Sequence, residues 1–177
     1  MYALVIFIFG LFVCGLALWG VSNIIAILGG SPPVHTSLEL SKKILKNISL
    51  TPKSTLLDLG SGTGNLLVTA AKTHKAQAVG YELSPFPYLI SQGRTILLRN
   101  RVKVYYASVF EADLNQATDI FIYLLPKMLR LLFPKIKKEA QIGTKIITRG
   151  FPLPDWQPTK KLTVGRQKTK IFIYQVK

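Results

Sequence analysis

The chain changes pattern twice along its length. Residues 2–28, YALVIFIFGLFVCGLALWGVSNIIAIL, form one apolar run in which only Ser22 and Asn23 are clearly polar. GGSPPV (29–34) breaks that run with glycine and proline. Leu38, Leu40, Ile44, Leu45 and Ile48 then recur at helical spacing with lysines opposite. Thr36 has Glu39 three residues on, the spacing of a capping box, and is the expected N-cap. Beyond residue 50, strand-like and helix-like blocks alternate. The pattern predicts strands at 54–59, 77–82, 102–107, 119–125 and 145–149, and helices at 64–73, 86–99 and 126–138. Residues 160–165 and 169–176 read as a closing hairpin. Alternating strands and helices imply a mostly parallel sheet covered on both faces. The last two strands have no helix between them and are expected to be antiparallel. The expected organisation is an anchor over 1–28, a linker and pre-domain helix over 29–50 and an α/β domain over 51–177.

The first run is long enough for a membrane helix, which needs about 20 apolar residues. A cleaved signal peptide would start with a basic region and have a shorter apolar core, and no Lys or Arg precedes this one. A helix apolar on every face would need a larger protein to bury it. The run therefore reads as an uncleaved single-pass anchor, with Tyr2 and Trp19 available at interfacial depth. Lys42, Lys43 and Lys46 follow closely, which places the C-terminal domain on the cytoplasmic side.

Charge sharpens the division. The chain has 23 Lys and Arg against 8 Asp and Glu, a net charge of +15, and none of these residues precedes Glu39. A basic domain behind an uncharged leader points to an anionic surface, membrane or nucleic acid. The single cysteine, Cys14, excludes an intramolecular disulfide and a cysteine-based zinc site. His35 and His74 are the only histidines, so no metal constellation is visible and none is expected.

The chemistry concentrates in LLDLGSGTGN (56–65). Asp58, Gly60, Gly62 and Gly64 give acid-x-G-x-G-x-G at a strand-to-helix turn. A P-loop would end in Gly-Lys-Ser/Thr and the dinucleotide fingerprint in G-x-x-G, and neither is present. Glycines there permit positive φ and let a ligand touch the backbone, and the helix start favours an anion. Asp58 would repel a pyrophosphate but suits an ammonium group. AVGYELS (78–84) ends a second strand in Glu82, placed to accept ribose hydroxyls. A zwitterionic amino acid joined to a nucleoside meets both demands, and S-adenosylmethionine is that molecule.

LLDLGSGTGN with AVGYELSP resembles the class I S-adenosylmethionine-dependent methyltransferases. More narrowly, the chain is similar to the membrane-anchored lysine methyltransferases that modify the mitochondrial ATP synthase c-subunit and adenine nucleotide translocase. The hydrophobic leader, GSPPVHTS before the domain, DIFIYLLPKML (119–129) and FPLPDWQP (151–158) carry that likeness. It implies a Rossmann-like α/β sheet, mostly parallel with an antiparallel last strand, behind one transmembrane helix. It also implies that Asp58, Gly60, Ser61, Gly62 and Gly64 form the cofactor turn, that Glu82 holds ribose and that Leu83 packs near adenine. Ser108 stands where relatives usually have an Asp facing the adenine amino group. His35 replaces a proline of the pre-domain motif, and Gly150 replaces a polar or charged residue.

Methyl transfer from a sulfonium needs alignment and a neutral nucleophile. Desolvation lowers a lysine pKa, so an aromatic-lined site can work without a dedicated base. Tyr123, after the fourth strand, and Trp156, on the Pro-rich loop, are the substrate-channel candidates, with core packing as the other reading of each. The expected function is methylation of a lysine on a membrane protein, with the bilayer and that protein as partners and no nucleic acid. The alternatives are a lipid or small-molecule methyltransferase, an RNA methyltransferase and a non-catalytic scaffold. The Asn/Asp-Pro-Pro-aromatic block of base methylases is replaced here by YLLP.

Overall fold

The computed structural model describes residues 2–28, 36–165 and 167–177. The linker expected at 29–34, most of the pre-domain motif and His35 lie outside the described residues. Seven strands form one sheet in the order β3-β2-β1-β4-β5-β7-β6. They are β1 (Thr55–Leu59), β2 (Gln77–Glu82), β3 (Val102–Tyr106), β4 (Asp119–Ile122), β5 (Lys145–Arg149), β6 (Lys160–Val164) and β7 (Thr169–Gln175). The helices are α1 (Tyr2–Leu28), α2 (Leu38–Ile48), α3 (Asn65–His74), α4 (Pro85–Thr95) and α5 (Pro126–Glu139). β1 to β5 are mutually parallel, and β7 runs antiparallel to both β5 and β6. This is the class I methyltransferase sheet expected from the sequence.

Strand alternation sends side chains to two cores. Leu56, Ala78, Val104, Phe121, Ile147 and Ile173 face one side, where Ile44 and Leu45 of α2 and Leu67 and Ala70 of α3 cover them. Leu57, Leu59, Ile120, Ile122, Ile146 and Tyr174 face the other, under Leu129, Leu132, Phe133 and Ile136 of α5. The second face has a single long helix, because the stretch after β5 crosses it as a loop.

Some boundaries differ from expectation. β4 stops at Ile122, since Tyr123 leaves the ladder and Leu125 is already the N-cap of α5. α4 ends at Thr95 and continues as a 3-10 turn over Ile96–Leu98. The N-cap of α2 is Ser37, not Thr36: the Ser37 hydroxyl accepts the Leu40 N–H at 3.2 Å. Thr36 is engaged elsewhere, its hydroxyl accepting from Arg149 at 2.6 Å. Glu39 pairs with Lys43 at 2.7 Å and does not reach back to the cap.

α1 is exposed on nearly every side, as an apolar membrane-length helix must be in the absence of lipid. Its exceptions are Ser22 and Ala26, 4% and 8% exposed, one turn apart on one face. That face lies along α4, where the Ser22 hydroxyl accepts the Phe86 N–H at 2.8 Å. Phe86 is in the first turn of α4, whose N–H groups have no partner within the helix. The end of α1 thus satisfies the start of α4.

Candidate cofactor site

β1 delivers Asp58 to the carboxyl end of the sheet, and the chain then turns through Gly60, Gly62 and Gly64 at φ 89°, 55° and 76°. These left-handed values are cheap only for glycine. The turn is pinned to the neighbouring strand, since the N–H groups of Gly60 and Ser61 both donate to the Tyr81 carbonyl, at 2.9 and 3.0 Å. Glu82 ends β2 and grips the turn: one carboxylate oxygen accepts the Gly62 N–H at 2.8 Å, the other the Ser84 N–H at 2.7 Å. Each oxygen keeps a second acceptor position for a ligand hydroxyl.

Asp58 and Glu82 point to the face covered by α3, and both are buried. Burial, with the Glu82 charge adding to it, pushes the Asp58 pKa up to about 8. Burial and the neighbouring charge thus favour the protonated carboxyl, and a cation placed beside it would favour the ionised form. Ser61 is 8% exposed, and its hydroxyl has no hydrogen-bond partner among the described residues. A buried orphan hydroxyl on a glycine turn, between two acids, fits a polar ligand lying on that turn.

Gly80 carries no signal of its own in the sequence pattern. A Cβ there would sit 2.6 Å from both the Ser61 hydroxyl and Leu67 Cδ1. The lack of a side chain at Gly80 is what lets the turn lie flat on β2. Asn65, first in α3, donates to the Thr36 carbonyl at 2.9 Å and accepts from Arg94 at 2.6 Å. These bonds tie the helix start to the residue before the N-cap of α2 and to α4.

The other sequence-marked residues fall into two groups. Leu83 is 42% exposed directly after Glu82, on the open rim. Ser108 follows β3, whose end is held at Glu82 through the Ala107 N–H. Its hydroxyl caps a 3-10 turn while its N–H donates to Glu111 at 2.8 Å, so Ser108 also has a local capping role. Tyr123 stands at the end of β4 on the Asp58 face, with the Arg149 guanidinium 4.0 Å over its ring. Arg149 is 6% exposed, and its Nε has no partner among the described residues. Burial pulls its pKa below the usual guanidinium range, and Tyr123 opposes that shift. A Cβ added at Gly150, whose φ is 83°, would lie 3.4 Å from Tyr123 Cε2, so the chain passes close to that ring. Sequence reasoning misses Arg149; a charged residue closing the apolar strand KIITR is its only signal.

Trp156 lies on the opposite face. Its ring packs 6.1 Å from Phe133 and 5.6 Å from Tyr174, and the Tyr174 hydroxyl fixes the loop by accepting the Leu153 N–H at 2.8 Å. Tyr123 and Trp156 are therefore not brought together, because FPLPDWQP must cross the α5 face to reach β6. Trp156→Ala should lower stability by about 2 kcal/mol, below the 3–5 kcal/mol of a fully buried Trp. Cofactor affinity should be unchanged; thermal melts with and without cofactor check both.

The chain is similar to known proteins in sequence and fold. The profile of the ANTKMT methyltransferase domain matches residues 58–160. A protein-lysine N-methyltransferase of Saccharolobus islandicus is 26% identical over 82% of this chain and 93% of its own. Adenine nucleotide translocase lysine N-methyltransferase of Mus musculus is 30% identical over 68% of this chain. The lysine N-methyltransferase of the ATP synthase c-subunit from Rattus norvegicus is 32% identical, also over 68% of this chain. The chain spans 53% and 56% of those two, about half their length. The crystal structure of an RNA methyltransferase from Salinibacter ruber with S-adenosyl-L-homocysteine superposes with a TM-score of 0.75. It is 26% identical and covers 81% of this chain and 94% of that one. With its glycine turn set between Asp58 and Glu82, this chain belongs to the ANTKMT methyltransferase domain family, whose cofactor is S-adenosylmethionine.

Proposed function

We propose that the chain transfers a methyl group from S-adenosylmethionine to a lysine of an integral membrane protein, on the cytoplasmic side of the membrane. The observation that carries this reading is the union of a glycine turn set between Asp58 and Glu82 with an apolar helix docked onto the same domain through Ser22 and Phe86. That contact also favours a retained anchor over a cleaved signal sequence, since cleavage after the apolar run would strip a hydrogen-bond partner from α4. The relatives named for the ATP synthase c-subunit and the adenine nucleotide translocase support a membrane protein as substrate.

Asp58 would take the amino acid ammonium of the cofactor, Glu82 the ribose hydroxyls, and Gly60, Ser61, Gly62 and Gly64 would line it, with Leu83 and Ser108 toward the adenine. The cofactor supplies a methyl group already activated on sulfur. What remains for the protein is to present a neutral amine. Tyr123 lines the lysine path, and Arg149, buried behind it, disfavours a second cation nearby and so lowers the pKa of the incoming ammonium. Trp156 supports the path indirectly by holding the loop that follows Arg149 and Gly150.

Glu82→Ala should weaken cofactor binding by about 1.5–3 kcal/mol, the range for hydrogen bonds to a charged group. Calorimetry measures it, and unchanged affinity would remove the ribose assignment. The full chain should resist alkaline extraction from membranes, with a C-terminal tag protected from external protease; release into the alkaline supernatant would reject the anchor. RNA methylation is the second reading, favoured by the likeness to the Salinibacter ruber structure and the net charge of +15. Mass spectrometry of membrane proteins from cells with and without the chain tests the substrate class. Loss of lysine methylation from one such protein is the expected result.

A further inference from the structure

α4 is amphipathic in the wrong sense for a helix facing water. The residues it buries are Ser91 and Thr95, whose hydroxyls turn back to the backbone carbonyls of Tyr88 and Ser91. Besides Gly93 and Arg94, the residues it and its 3-10 extension expose are apolar: Leu89, Ile96 and Leu97, at 55%, 51% and 91%. Leu97 is the most exposed large apolar side chain described in the protein, above those of α1 itself. A surface helix normally shows the reverse pattern. The same region has a one-sided charge: residues 83–110 contain Arg94, Arg99, Arg101 and Lys103 and no acid. Tyr106, 52% exposed, stands on the adjoining strand with its ring 5.3 Å from that of Tyr88.

We infer that the outward face of α4 and the Ile96–Leu98 turn docks into the headgroup region of the anionic leaflet at which α1 ends. The inference rests on the anchor reading of α1 and adds the surface by which the catalytic domain lies on the bilayer. Continuity with α1 identifies the occupant. The residues from Tyr2 to Val21 make about 30 Å of helix, the thickness of the hydrocarbon core. Ser22, which α4 touches, then lies where the hydrocarbon ends. A helix docked there sits at interfacial depth, where exposed leucines enter the acyl boundary and arginines and tyrosine meet headgroups. Basic residues near an anionic surface add about 1 kcal/mol each. A nucleic acid would use the cations but has no use for Leu89 and Leu97. Because Ser84, the N-cap residue of α4, follows two residues after Glu82, the cofactor site is held beside the membrane surface rather than on a long tether.

The test places a fluorophore on the full chain carrying Cys14→Ser, at Leu97→Cys or, as a control, at Ile142→Cys. Ile142 is 83% exposed in the turn before β5, at the other end of the sheet from the glycine turn. The protein is reconstituted in phosphatidylcholine vesicles with and without phosphatidylglycerol, with a nitroxide on the lipid headgroups. Several-fold stronger quenching at 97 than at 142, reduced by Arg99→Glu with Lys103→Glu in the anionic vesicles, is the expected result. Equal quenching at the two positions, in protein that still resists alkaline extraction and binds cofactor, would overturn the docking face and leave the anchor intact. Loss to the alkaline supernatant would instead overturn the anchor reading and this inference with it.

Discussion

Binding of S-adenosylmethionine should release a proton, and its affinity should rise as pH climbs from 6 toward 8. The cause is Asp58, buried beside Glu82 with its pKa pushed up to about 8. Below that pH the ligand-free carboxyl carries a proton that an incoming ammonium must displace, at a cost of about 1.4 kcal/mol per pH unit. Above it, the gain reverses as the ligand's own amine, with a pKa of about 7.7–8.0, loses its charge. Stability of the ligand-free protein should move the other way. A carboxyl whose folded pKa lies above its unfolded value of 3.8 favours folding most at low pH, and this contribution is lost as pH rises from about 4 to about 8. Asp58→Asn should therefore raise the ligand-free melting temperature at pH 8 while weakening cofactor binding by about 10- to 150-fold, the equivalent of 1.5–3 kcal/mol. Calorimetry in buffers of different ionisation enthalpy counts the proton. Binding without proton release would show that Asp58 is already ionised or does not meet the ammonium.

Gly80→Ala should disable the site without replacing any residue assigned to hold the cofactor. The added Cβ would sit 2.6 Å from the Ser61 hydroxyl and from Leu67 Cδ1, and 2.8 Å from Ser61 Cβ. Leu67 is fully buried and cannot swing clear, so the glycine turn must lift from β2. Overpacking of this kind costs about 1–3 kcal/mol of stability. Lifting the turn should also break the bond from the Gly62 N–H to Glu82, so cofactor affinity should fall further than the melting temperature alone suggests. Chemical denaturation and cofactor titration of the same variant separate the two effects. Wild-type affinity in a destabilised protein would show that the turn does not need its seat on β2.

How much of this is legible in the sequence depends on how local each feature is. Asp58, the three glycines and Glu82 lie on consecutive elements, so spacing alone locates the cradle. α1 is visible from composition, and the antiparallel ending from the missing helix between β6 and β7. The remainder arises where distant segments meet. Thr36 serves Arg149 instead of capping α2, a bond between residues 113 apart. Ser22, one of two polar residues in an apolar run, gains its role only beside Phe86, 64 residues away. Trp156 looks poised over the active end in the sequence, yet the path from β5 to β6 takes its loop across the α5 face. Residues 86–99 read as helical and mostly are, but periodicity does not reveal which face of α4 meets the sheet.

The central claim is transfer of a methyl group to a protein lysine at a membrane. The most direct measurement feeds radiolabelled S-adenosylmethionine to native vesicles carrying the full chain, separates protein, lipid and RNA, and maps the labelled residue. The expected result is label on a lysine of an integral membrane protein, absent when the chain carries Asp58→Ala. Label confined to the lipid or the RNA fraction would contradict it.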